Sequence, residues 1–173
     1  MSNSILDSEK IKFSTGAVRN SQEDKGRFDL APLDVIADIM EMTGVKVEHA
    51  NVLRKIERYK ETKDAMYLED AILWFCKAEN MSFYDALHEV SMHYKICLKD
   101  YPEDNWKQGI PLKSYLSSGT RHFCKHVYGH RDEPHYRGFV WNMLCALWTI
   151  KHKPEMIDAP FEVEEKGNEN ERK

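Results

Sequence analysis

Within fourteen positions, from His122 to His135, the chain carries His122, His126, His130, His135, Asp132 and Glu133, with Arg121 at the edge. His122 and His126 are four residues apart, so on a helix their rings stand over one another on one face. Two imidazoles so placed can share a divalent metal, and neighbouring carboxylates can add ligands or move protons. The same spacing also suits hydrogen-bonded residues at the boundary of a helical core, and the pattern leaves both readings open. It does not match a zinc finger or a HExxH protease, and the chain has no GxSxG, Walker or Rossmann motif. Glu89 and His93, one turn apart, read either as a solvent-facing pair or as a ligand pair at the core's rim.

A third group lies near the start. Thr15-Gly16-Ala17-Val18-Arg19 is followed by Lys25-Gly26-Arg27-Phe28-Asp29-Leu30. Backbone N–H groups at glycines, with Lys and Arg beside them, can hold phosphate, and the composition equally fits a surface loop.

These side chains need scaffolding, and the apolar periodicity supplies it as helices. The stretch 113–151 reads as two helices joined by a polar turn at 129–134. Gly129 suits the first helix's C-terminus, and an acid before Pro134 suits the second's start. Upstream, helices are expected over 32–42, 47–60 and 63–79 and from Ser82, where Ser82 and Asp85 make a capping box. Phe83, Leu87, Val90, Tyr94 and Cys97 are read as that helix's core face. No strand or hairpin signal is found. The expected fold is all-α: a compact bundle of five to six helices with polar N- and C-terminal tails. Residues 1–14 read as a flexible arm, 15–153 as one helical domain and 154–173 as a disordered charged tail.

Bulk properties narrow the function. The 173 residues carry a net charge of −4, which argues against a partner that is a nucleic acid polymer. No apolar run is long enough to span a bilayer, and the N-terminus lacks a signal peptide's h-region. Cys76, Cys97, Cys124 and Cys145 lie in apolar patterns without a CxxC pair, as expected of free thiols in a reducing, cytoplasmic setting.

Two blocks together carry a family resemblance. The first is Phe13 to Arg19 with Lys25 to Pro32. The second is Asp104-Asn105-Trp106-Lys107-Gln108-Gly109-Ile110-Pro111-Leu112, then Tyr115-Leu116, Arg121-His122, Asp132-Glu133, His135 and Trp141-Asn142. In this order they resemble the phage dATP/dGTP diphosphohydrolase family, with a possible link to MazG-type helical enzymes. Relative to that pattern, residues 42–81 form an insertion, and the acidic MazG metal signature is absent.

The resemblance implies a metal-dependent nucleotide pyrophosphohydrolase that converts a purine deoxynucleoside triphosphate and water to the monophosphate and pyrophosphate. Its cofactor would be a divalent metal (Mg, Mn or Co). Metal ligation is assigned to His122, His126, His135, Asp132 and Glu89, and catalysis to Asp132 and Glu133. Substrate binding falls to Lys25, Gly26, Arg27, Trp106, Lys107, Arg121 and Asn142. A homo-oligomer is expected by analogy with small helical phosphohydrolases. The alternative is a non-catalytic phage nucleotide-binding protein, a sponge for a host signalling nucleotide; a structural helical adaptor is the third reading.

Overall fold

Local signals set most helix boundaries. In the computed structural model, which describes residues 10–22 and 24–160, α1 is Leu33–Met42, α2 Val47–Thr62 and α3 Met66–Ala78. They are followed by α4 (Phe83–Cys97), α5 (Leu112–Val127) and α6 (His135–His152). The capping box forms as expected: Ser82 Oγ accepts from the Asp85 amide, and the Asp85 carboxylate accepts from the Ser82 amide, both at 3.1 Å. Gly129 closes α5 in the left-handed region at φ +80°, where a side chain would be strained.

The helices pack as two linked layers, α1–α2–α3 against α5–α6, with α4 lying along α6. Phe75 of α3, Phe123 of α5 and Phe139 of α6 are fully buried and meet with ring centroids 4.9–6.2 Å apart. Such tilted and edge-on pairs join the layers through apolar burial and aromatic contact. No helix among the described residues is long and apolar enough to cross a membrane.

The all-α expectation holds for the domain with one addition. Strand β1 (Lys10–Lys12) pairs antiparallel with β2 (Val18–Asn20), Ile11 facing Arg19. Three-residue strands are too short to show an alternating pattern, so the hairpin had no signal of its own. It is docked by long-range bonds: the Asn105 side chain accepts from the Val18 amide and donates to the Val18 carbonyl, both at 2.7 Å, and Thr15 Oγ1 donates to the Gly109 carbonyl at 2.6 Å. Residues 10–14 of the expected arm therefore belong to the fold; residues 1–9 lie outside the described part. At the other end a 3-10 turn, Pro154–Met156, continues past α6, and the tail beyond residue 160 lies outside the described part.

The expected core face of α4 is only half right. Val90 is buried, but Phe83 and Leu87 stay 43% and 40% exposed. α4 packs mainly on α6, so a helix with apolar residues on more than one side leaves part of them uncovered.

Candidate functional site

The site begins where α5 and α6 come closest. A Cβ on Gly138 would lie 2.8 Å from His122 Nδ1 and 2.9 Å from its Cγ, so the imidazole fills the space a side chain would take. His122 Nδ1 lies 3.1 Å from His135 Nδ1 and 3.5 Å from Glu133 Oε1; His135 Nδ1 lies 3.3 Å from the same oxygen. A divalent ion about 2.1 Å from each ligand separates neighbouring donors by roughly 3.0–3.4 Å. The triangle nearly has that size already. Among the described residues, His122, Glu133 and His135 are the group of three metal-capable side chains that converge in this way.

Hydrogen bonds orient the ligands. Buried His135 has its Nε2 2.8 Å from Asp132 Oδ1. With Nε2–H donated to that carboxylate, the ring presents Nδ1 to the triangle, as oriented metal-binding histidines do. Asp132 also accepts from Lys125 Nζ at 2.9 Å. The hydrogen bonds from Lys125 and His135 hold the Asp132 carboxyl below the usual carboxylate range. Burial, followed by Arg121, His135 and Arg19, pushes His122 well below the ordinary imidazole value. It is therefore uncharged at neutral pH, the state a metal ligand needs. Without an ion, one Nδ1–H donating to the other Nδ1 satisfies the same pair.

Beside the triangle stand cations that outnumber the anions among the described residues. Arg121 Nη1 donates to Gln22 Oε1 at 3.1 Å, a neutral partner. Burial and then Arg19 lower its pKa to about 10. Lys25 is lowered by burial, then by Arg121 and Arg19, and Glu133 is the one carboxylate that opposes this. Arg19 has reached the site from the hairpin: its Nη2 donates to Asn142 Oδ1 at 2.7 Å, and the guanidinium lies 5.1 Å from the Tyr115 ring centroid. Positive groups that depress one another form a local potential well for an anion.

Other residues named from the sequence go elsewhere. His126 Nε2 lies 3.0 Å from Glu79 Oε2, and His49 Nε2 lies 2.6 Å from Glu79 Oε1. His126 is therefore drawn toward α3, away from His122's partners, although the two share one side of α5. Glu89 accepts from Tyr136 Oη and Arg137 Nε, both at 2.6 Å, and does not join the triangle. Arg27 is clamped by Asp29 through bonds of 2.8 and 2.6 Å, and Lys107 pairs with Asp104 at 2.7 Å. Trp106 packs on Trp148 and Tyr94, with ring centroids 5.0 and 5.8 Å away. Asn142 is engaged by Arg19 and by the Gly138 carbonyl, to which its Nδ2 donates at 2.7 Å. Gly26 places its carbonyl 3.3 Å from Ser117 Oγ, on the exposed lip beside Lys25.

Residues 72–159 match the family profile described as dATP/dGTP diphosphohydrolase, N-terminal. The chain belongs to this family. No curated protein and no solved structure matches it. The matched span runs from α3 through α6 and contains the whole triangle and Arg121. Arg19, Gln22 and Lys25 lie outside it and are brought in by the docked hairpin and the segment after it. Sequence reading had not nominated Arg19, Gln22 or Glu79. For Arg19 the available signal was its place in the first block; an arginine in a short polar stretch has no periodicity to show that it points inward.

Proposed function

We propose that the protein is a metal-dependent diphosphohydrolase that converts a purine deoxynucleoside triphosphate and water to the monophosphate and pyrophosphate. One observation carries this reading: a preformed His122–Glu133–His135 donor triangle adjoins Lys25 and Arg121, which among the described residues have no carboxylate partner of their own. Family membership supplies the substrate class, since the family is named for action on dATP and dGTP.

His122, Glu133 and His135 would hold the ion, and Asp132 would orient His135 from behind. When bound, a divalent metal there neutralises phosphate charge and lowers the pKa of a coordinated water. Two imidazoles favour Mn²⁺ or Co²⁺ over Mg²⁺. Water oxygen bonds to the α-phosphorus, the bond from that phosphorus to its bridging oxygen breaks, and the electron pair leaves with pyrophosphate. Lys25 and Arg121 stabilise the departing charge. Glu133 takes the water's proton on Oε2, the oxygen turned away from the imidazoles' contact.

The homo-oligomer is retained as part of this proposal, supported by Phe83 and Leu87 exposed on α4 and Leu98 exposed just past its end. The test of function is incubation with each dNTP and NTP in Mg²⁺, Mn²⁺ or Co²⁺, with products separated by anion exchange. Monophosphate and pyrophosphate from dATP or dGTP are expected. Tight nucleotide binding without product would replace the enzyme with a nucleotide sponge.

A further inference from the structure

Arg19 is an expensive residue to keep where it is. Its Nη1 is buried and has no hydrogen-bond partner among the described residues. The side chains that favour its charge are Tyr115, Cys145 and Tyr101, none of them an anion at neutral pH. A guanidinium serving only structure would be matched by a carboxylate or by carbonyls, because an unpaired buried donor is costly and an unpaired buried charge more so.

Its mounting is rigid nonetheless. The Val18 backbone next to it is gripped by Asn105 through two 2.7 Å hydrogen bonds, and Tyr101 Oη donates to Asn20 Oδ1 at 2.5 Å on the other side. Asn142 Nδ2 donates to the Gly138 carbonyl, so the amide can only turn its oxygen to Arg19, where it accepts from Nη2 at 2.7 Å. One arm of the guanidinium fork is thus fixed and the other left unpaired among the described residues. Asn142, which holds the fixed arm, is bonded to Gly138, and the His122 ring packs against Gly138, so the guanidinium stands beside the triangle.

We propose that Arg19, oriented by Asn142, is an anion-binding residue that takes a phosphate oxygen of the substrate's polyphosphate chain. The proposal rests on the diphosphohydrolase reading and deepens it: Asn142 becomes a positioning residue rather than a contact to the nucleoside. A buried, pre-aimed guanidinium binds phosphate oxygen strongly because the charge-assisted bond forms without water competing for it and with little side-chain entropy left to lose.

The experiment is calorimetric titration of inorganic pyrophosphate, with dGTP turnover and ligand-free melting measured in parallel, on wild type, Arg19→Gln and Asn142→Asp. Asn142→Asp keeps the bond to Nη2 and sets a carboxylate against the guanidinium, at the loss of the bond that Nδ2 donates to the Gly138 carbonyl, so it tests the charge even where Arg19→Gln fails to fold. Pyrophosphate affinity should fall at least about tenfold in each folded variant and KM for dGTP should rise, while ligand-free melting of Arg19→Gln is kept or raised. A purely structural Arg19 predicts the reverse for Arg19→Gln: lower melting with pyrophosphate affinity retained. Wild-type pyrophosphate affinity and KM in Asn142→Asp, or in a folded Arg19→Gln, would overturn the proposal while leaving the hydrolase intact. A wild type that neither binds pyrophosphate nor turns over any nucleotide would overturn both.

Discussion

Replacing Gly138 by alanine sets two terms against each other. Alanine is favoured over glycine inside a helix by about 0.5–1 kcal/mol. Against this, the added Cβ would lie 2.8–3.0 Å from three atoms of the His122 ring, about 0.5 Å inside ordinary van der Waals contact. The ring must move, and His135 Nδ1 stands only 3.1 Å from its Nδ1 on the side of the triangle. Overpacking of this kind costs about 1–3 kcal/mol, so net stability should fall by no more than about 2.5 kcal/mol. For a chain of this length that is a fall in Tm of roughly 5–10 °C at most. The effect on metal should be larger, because a displaced imidazole no longer closes the triangle. Mn²⁺ affinity, measured by titration calorimetry, should drop about 10–100-fold, and dGTP turnover at limiting Mn²⁺ with it. A Gly138→Ala protein that binds Mn²⁺ as tightly as wild type, with Tm unchanged or raised, would refute the argument, for the ring would then not be wedged between α6 and its partners.

Further outcomes follow from the same contacts. Burial, with Arg137 behind it, lowers His93 from 6.5 to about 4, so between those values the unfolded chain binds more protons than the folded one and stability falls as pH drops. Thermal melts at pH 7 and 5 should show this loss, with His122 adding in the same direction, and His93→Phe should lose about 2 kcal/mol less at pH 5 than wild type. Burial works to raise the Glu79 carboxyl, but the hydrogen bonds to His49 and His126 outweigh it and hold it below its ordinary 4.5. Its contribution is therefore complete above that value and lost as pH falls through the lower folded one. Glu79→Gln should destabilise by about 1–3 kcal/mol at pH 7 and leave Mn²⁺ affinity unchanged, whereas lost Mn²⁺ binding would return His126 to the ligand set. Arg121→Ala should raise KM for dGTP about tenfold or more in steady-state assays, and an unchanged KM would remove it from the phosphate clamp. Leu87→Glu should convert an oligomer to a monomer in light scattering, and a wild type that is already monomeric would end that part of the proposal.

What could be read from the sequence alone was local. The Ser82–Asp85 capping box spans one turn, Gly129 ends a helix through its own backbone freedom, and the apolar repeats of α2 and α3 report their own buried sides, so six helices and the polar corner between α5 and α6 were legible. His135, Glu133 and His122 could be suspected because α5, a short turn and α6 bring them together within one supersecondary unit. What lay between distant segments was not legible. Arg19 and Asn142 are separated by 123 positions, and only the docking of a hairpin too short to leave a pattern joins them. His122 and His126 share a helix face, yet α6 captures one and Glu79 the other, because a side chain's partner is set by the carboxylate that packing brings near. Periodicity records which residues leave water; which of them meet is decided by how the helices pack, and that information is not carried by any one stretch of chain.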